Sequence, residues 1–489
     1  MNRAVLILFA LPVFFGCCRQ PEKTDKAIGF ELIPISKTAL YDSTSVFFGN
    51  FGRYPRDAAA APIGIFDSGT GGLTVMEAIV TLDLFNNATG KEEPDGICDF
   101  AGESFVYLAD QANMPYGNYS TENKTDYLRE LIVQDALFLM GHQVKTIVVA
   151  CNTATATGLP DIQALLERSQ TGVTATGVIH AGVKGALETL SKTESGSIGV
   201  MATVGTIRTM GYERTIRELA KAMGYTGTLQ VINQPAMGFA EAVDEEPDFI
   251  ARDATQPRDN YRGPALHHPD YSIHPKLLDA YRFDFTGNGM LCTGAAGDYT
   301  RLQLNFAPNY ARYHLLSLIE KLRATPDPQP LKALIMGCTH YPYHRETLQQ
   351  MLCELRNYQQ DGCFPYRDLI AADAVLVDPA VHTARELYIL LRDRKMLNRN
   401  SSDMRYGFYI SIPNSDLPGV ALESIHGDLS ETTAAPPGRF TYDFKYGRNP
   451  GTSLEYVRIV PFSSDNMDGE TQKRFRTSIP VTCSLIPNL

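Results

Sequence analysis

The sequence predicts an α/β fold of two pseudo-symmetric domains, each a mainly parallel sheet flanked by helices, with the functional site in the cleft between them. Three observations predict it. At 489 residues the chain exceeds what one hydrophobic core organises, so two or more domains are expected. Short continuous apolar runs alternate with segments of helical period, as strands covered on both faces require. Several runs end in glycine-rich or polar loops, and sites in open α/β sheets gather at the carboxyl ends of strands.

Taken in order, the chain opens with Met1-Asn2-Arg3, the apolar run Ala4 to Phe15, and Gly16-Cys17-Cys18. That is the layout of a secretory signal peptide, assigned here to 1–17. Its twelve apolar residues are too few to span a bilayer as a mature helix. A small residue directly before Cys17 resembles a lipoprotein cleavage site, with Cys17 as the lipidated residue. Phe14 and Phe15 depart from that pattern, and Cys18 is a competing site. The expectation is an exported protein held to the membrane by a lipid anchor, on the periplasmic or cell-surface side.

Residues 18–61 read as a tether and irregular arm. The fold begins at Ile63-Gly64-Ile65-Phe66, a strand running into Asp67-Ser68-Gly69-Thr70-Gly71-Gly72 and then the helical pattern from Leu73. The same plan recurs at Phe105 to Leu108, with a helix from about Lys124 to Met140, and at Thr146 to Ala150, which ends on Cys151. Further strand-to-loop junctions lie at Ser197 to Thr203 and at Ala333 to Cys338. The polar stretch 245–306, rich in Pro, His, Asp and Tyr, reads as an insertion, with a lid or an oligomer contact as its open alternatives. The domains are set at 62–175 plus 366–420 and at 176–365, followed by a β-rich extension over 421–489.

Composition narrows the partners. The hydrophobic share of 44% is ordinary for a globular protein. Lysine and arginine number 44 against 55 acidic residues, a formal charge of −11, and no long basic run could track a phosphate backbone. Nucleic acid is therefore not expected as a partner. An acidic protein can still hold a small anion with backbone N–H groups and helix N-termini. No cysteine pair has zinc-site spacing, and His267, His268 and His274 lack the acid or cysteine spacing of a metal site, so no metal is expected. Cys353 and Cys363 could close a small loop; the pairing stays open.

Cys151 and Cys338 stand apart from the other cysteines. Each follows a buried strand, each precedes a polar pair (Asn152-Thr153 and Thr339-His340), and 187 residues separate them, so they would face one cleft from different domains. A thiol of ordinary pKa, about 8.5, can be brought into a useful acid/base range by donors, helix ends or cations. Two such groups on opposite sides of a carbon can remove a proton from one face and deliver one to the other. Taken singly, a cysteine after an apolar strand is usually an inert core residue, and Asp67-Ser68-Gly69 could be a helix cap after a turn.

The motifs resemble those of glutamate racemase, within the aspartate/glutamate racemase family. Gly64 to Thr74 is similar to its opening motif, Pro115-Tyr116-Gly117 to its substrate loop, Ala150-Cys151-Asn152-Thr153-Ala154 to its first cysteine, and Gly337-Cys338-Thr339-His340-Tyr341-Pro342 to its second. The resemblance covers roughly 62–420 and leaves both ends unexplained. It implies cofactor-independent racemisation of an acidic amino acid, glutamate before aspartate, with Cys151 and Cys338 as the two proton-transfer thiols. It implies that Asp67 assists the first thiol and engages the substrate ammonium, and that His340 tunes the second. A further acidic partner should follow a Cys-Pro pair; this chain has Gln234-Pro235 there, with Glu241 nearby and Asp244 as a competitor. Ser68, Tyr116 and Gly117 would hold the side-chain carboxylate, with Pro115 as a substrate-binding residue of the same loop, and Asn152, Thr153, Thr203 and Thr339 the α-carboxylate. No cofactor is implied, and a homodimer is left open. The competing class is an exported, non-catalytic binding lipoprotein on the same scaffold. Against it stand both thiols and Asp67, which a pure binder has no use for.

Overall fold

The computed structural model describes residues 31–54, 58–400, 404–423, 438–451, 455–467 and 469–487. The signal segment 1–17, and with it Cys17, lies outside the described residues. Twelve strands are found among the described residues: β1 (Ile63–Asp67), β2 (Phe105–Ala109), β3 (Thr146–Val149), β4 (Thr174–Gly177), β5 (Gly196–Ala202), β6 (Leu229–Pro235), β7 (Met290–Ala295), β8 (Asp298–Leu304), β9 (Leu331–Gly337), β10 (Ile370–Val377), β11 (Tyr406–Pro413) and β12 (Val457–Pro461).

They form two main sheets. The first runs β12-β11-β2-β1-β3-β4, parallel except for the antiparallel edge strand β12. The second runs β10-β9-β5-β6 and is parallel throughout. β1, β2 and β5 are buried at every position, and the apolar runs at β3 and β9 are covered on both faces, as the sequence leads one to expect. One face of the first sheet packs on helices Thr125–Gly141 and Asn152–Ser169, the other on Leu73–Val80 and Pro379–Asp393. The second sheet lies between helices Val178–Glu188 and Gly211–Ala222 on one side and Ala307–Ala324 and Arg345–Asn357 on the other.

Two segments differ from the sequence reading, and a third that it left open is now defined. β10 pairs with β9, so the segment after 366 first completes the second sheet, and the chain returns to the first sheet only at β11. The arm is not irregular throughout: helix Pro34–Tyr41 buries Ile35 and Ala39 in the core beneath helices Thr125–Gly141 and Asn152–Ser169. The insertion is folded, with β7 and β8 forming an antiparallel hairpin and Phe249, Leu266, Ile273, Tyr281 and Leu302 sharing a core with helix Ala307–Ala324. Its polar character misleads because buried amides replace a backbone ladder. Asn309 accepts from the Asp284 N–H and donates to the carbonyls of Asp284 and Gly289, while Asn305 does the same for both backbone groups of Ala251.

Among its described residues the extension over 421–489 is more helical than β-rich. It supplies β12 and three short helices, Tyr442–Gly447, Gly469–Ser478 and Pro480–Leu485. The expectation rested on the alternating run Leu454 to Val460, of which only the one edge strand forms. Phe475, Ile479, Cys483 and Ile486 sink into the core beside helix Leu73–Val80. Glu77 accepts from the N–H groups of Val481 and Thr482 at 3.1 and 2.6 Å, satisfying donors that the start of the last helix leaves open.

Candidate active site

Four strand ends supply the site: Asp67 closes β1, Cys151 follows β3, Thr203 follows β5 and Cys338 follows β9. Crossing from one sheet to the other brings these carboxyl ends to face each other over a single cavity. Ser68, Pro115, Tyr116, Gly117, Cys151, Asn152, Thr153, Thr203, Glu241, Cys338, Thr339 and His340 all line it. Its volume is about 30 Å³, the space of roughly one water. All seven described cysteines are unpaired, including the two that face this cavity.

Cys151 caps helix Asn152–Ser169, its sulfur accepting from the Ala154 N–H at 3.4 Å and lying 3.6 Å from Ser68 Oγ. A thiolate gains from a helix N-terminus. In the closed cavity burial is the larger influence, and together with the Asp67 charge it pushes the thiol well up. Asp67 is itself buried. Its Oδ2 accepts from the Gly72 N–H at 2.7 Å and from Thr339 Oγ1, across the cleft, at 3.3 Å, while Oδ1 has no hydrogen-bond partner among the described residues. Burial raises this carboxyl, and the His340 charge works against the rise.

The glycine-rich turn lets the two domains meet. A Cβ at Gly71 would lie 2.6 Å from Thr339 Oγ1 and 2.7 Å from His340 Cε1. Gly71→Ala should therefore push the second-cysteine loop away from the first and lower kcat by about a hundredfold, the scale of a misplacement near 1 Å. Unchanged kcat with an unshifted Tm would refute this account of the turn.

At the second thiol, Cys338 Sγ lies 3.5 Å from His340 Nδ1, and His340 Nε2 lies 3.0 Å from Asp244 Oδ2. Burial alone would neutralise both partners. His340 and then Arg474 outweigh it at Asp244, holding that carboxyl well below the usual range. For His340, burial is opposed by Asp244 and Cys338, and the imidazole is held well above its ordinary value. The acid paired to His340 is thus Asp244, the competitor in the sequence reading. Glu241 lies on the cavity wall, raised to about 7 by burial and the neighbouring Glu246. It sits in the first turn of helix Phe239–Val243, whereas Asp244 caps the C-terminal end of that helix and reaches the imidazole.

The polar residues divide similarly. Thr153, Thr203 and Thr206 form a ring of hydroxyls 2.9 to 3.0 Å apart across the two domains. Asn152 accepts from the Tyr212 hydroxyl. Tyr116 lines the cavity, but its hydroxyl is committed on the far side, 2.6 Å from Asp110 Oδ2 and 2.7 Å from Asp135 Oδ2. The hydroxyl is thereby a buried anchor of the Pro115-Tyr116-Gly117 loop, which leaves the main chain of Tyr116 and Gly117 on the cavity side for the substrate role expected from the sequence. Asp110, Asp135 and Arg474 were not legible as site residues: each acts through a contact across 6 to 230 positions, and no local motif marks it.

No protein-family model matches the chain. It is 28% identical over 352 residues to the glutamate racemase of Stutzerimonas stutzeri, spanning 72% of this chain and 89% of that one. To the glutamate racemase of Chlorobaculum tepidum it is 35% identical over 196 residues, 40% of this chain and 59% of the relative. Among solved structures, the glutamate racemase of Francisella tularensis in complex with D-glutamate aligns at 22% identity and a TM-score of 0.43, covering 72% of this chain and 88% of that one. The Bacillus anthracis glutamate racemase aligns at 23% and 0.42, covering 71% and 87%.

In sequence the chain is similar to isomerases of the amino-acid racemase class. More particularly, it is a homologue of glutamate racemase.

Proposed function

We propose that the chain racemises glutamate, one thiol withdrawing the α-proton and the other returning a proton to the opposite face. The observation that carries this is the pair of buried thiols, Cys151 and Cys338, which two different sheets deliver to one cavity. The α C–H bond breaks as a thiolate takes the proton; the electron pair stays on carbon, delocalised into the α-carboxylate, until the opposite S–H group protonates it. Each turnover leaves the two thiols with exchanged protonation, so the reverse reaction uses the same groups in the opposite order.

Asp67, buried beside Cys151 behind the cavity wall, would take a proton from that thiol or receive the substrate ammonium once the cleft opens; its proximity to Cys151 supports the role. The N–H groups at the start of helix Asn152–Ser169 and the hydroxyls of Thr153, Thr203 and Thr339 suit the α-carboxylate. Glutamate is far larger than the 30 Å³ cavity, so its admission requires the two sheets to separate. Glutamate stands ahead of aspartate because the sequence relatives carry that name.

The test is incubation with L-glutamate, and separately L-aspartate, in deuterated water, following α-proton loss by NMR and chirality by chromatography. Deuterium at Cα together with the D-enantiomer of glutamate is expected. Absence of exchange with either substrate, in folded and reduced protein, would overturn the reading in favour of a binding protein. Export as a lipoprotein belongs to the same proposal and rests on the run Ala4 to Phe15 followed by Cys17. Cell fractionation tests it: Cys17→Ser should lose the membrane association, and a soluble wild-type protein would reject it.

A further inference from the structure

The C-terminal extension reaches into a site otherwise built by the two sheets. Arg474 lies on helix Gly469–Ser478, anchored through Phe475 in the core next to the first sheet. Its guanidinium crosses to the second domain, where Nη2 donates to Asp244 Oδ1 at 2.9 Å and Nη1 to the Val243 carbonyl at 2.5 Å. It also lies 5.2 Å from the centre of the Tyr343 ring. The other Asp244 oxygen meets His340 Nε2 at 3.0 Å, and His340 Nδ1 faces Cys338 Sγ at 3.5 Å.

We propose that Arg474 is a positioning residue for the second thiol, pinning the Asp244 carboxylate so that His340 keeps its Nε2 proton toward Asp244 and presents Nδ1 to Cys338. The inference rests on Cys338 being a proton-transfer group. Two donors on separate oxygens fix the plane of a carboxylate, and charge-assisted bonds are the strong ones. When Cys338 passes its proton to His340, the S–H bond breaks and an N–H bond forms, leaving thiolate and imidazolium. From Arg474 to Cys338 the signs then alternate, positive, negative, positive, negative. Removing the arginine leaves one cation between two anions in a buried setting, which disfavours the thiolate. The other groups facing this chain are Asp67 on β1, Glu241 on helix Phe239–Val243, Glu246 just beyond that helix, Tyr212 on helix Gly211–Ala222, and Tyr341, Tyr343 and His344 beside His340.

Arg474→Met keeps the apolar stem and removes the charge. Thiolate ultraviolet absorbance is titrated in the full chain, with the Cys338 signal taken as the difference from Cys338→Ser and the Cys151 signal as the difference from Cys151→Ser. The expected result is about tenfold less Cys338 thiolate at neutral pH in Arg474→Met, equivalent to one pH unit, with the Cys151 titration unmoved. Arg474→Lys should recover part of the loss, because charge returns without the planar fork. An unchanged Cys338 titration overturns the proposal. An equal displacement of both thiols also overturns it, since the arginine would then only hold the cleft closed. The titration needs no substrate, so a wild-type protein inactive on glutamate would count against the racemase reading alone.

Discussion

Cys151→Ala and Cys338→Ala should each abolish racemisation in both directions, with a loss of about 10³-fold or more. Loss of one general acid/base group costs on the order of 10² to 10⁴ in rate, and a two-thiol reaction requires both in every turnover. Chirality measured from L-glutamate and from D-glutamate gives the check. The informative result is isotopic: a variant lacking one thiol retains slow deuterium exchange, without inversion, only from the enantiomer whose α-proton faces the surviving sulfur. Racemisation at the wild-type rate in either variant would remove the two-thiol mechanism. Neither substitution should cost much stability, because alanine fills most of the thiol's place in a cavity of about 30 Å³.

Asp244→Asn should rank next. Among the described residues it removes the negative charge bonded to both His340 and Arg474, leaving the buried imidazole and the partly buried guanidinium facing each other. Breaking a buried pair in this way costs about 3–5 kcal/mol, and the racemisation rate should fall about a hundredfold as His340 loses the partner that orients it. Glu241→Gln is the comparison, because Glu241 lines the cavity without bonding the imidazole. If Glu241→Gln proves the more damaging change, the pairing of His340 with Asp244 is not the functional one.

The pH dependence has a definite sign. Asp244, with a depressed folded pKa, contributes stability that is present above the unfolded value near 3.8 and lost as pH falls through the folded one. His340, with a raised pKa, contributes stability that is present below about 6.5 and lost as pH rises through its folded value. The pair therefore favours the interval between them. Asp244→Asn should lower the denaturation midpoint within that interval and flatten its fall on the acid and alkaline sides.

Much of this was legible in the chain itself. The apolar runs at β1, β3, β5 and β9 announced buried parallel strands, and the loops after them carry Asp67, Cys151, Thr203 and Cys338. What failed was information held between distant segments. β10 reads as readily into either sheet, because a continuous apolar run does not encode its neighbour. The choice between Glu241 and Asp244 depended on where a five-residue helix ends. That the Tyr116 hydroxyl would turn to Asp110 and Asp135 was likewise hidden, because sequence does not show which partner a side chain's polar end will take. The extension carried no motif, yet it closes the first sheet and lends Arg474 to the site.

The anchor behind the substrate loop carries a cost of its own. One phenolic hydrogen cannot serve two carboxylates, so with Tyr116 bonded to both Asp110 and Asp135, one of the acids must hold a hydrogen too. Asp110 also receives Asn113 and Ser411, whereas Asp135 has only the tyrosine, and burial with the Asp110 charge raises Asp135 well above its ordinary value. A hydrogen held between the two acids behind the loop is one that the unfolded chain gives up more readily, so the stability it contributes is lost as pH rises through the raised Asp135 value.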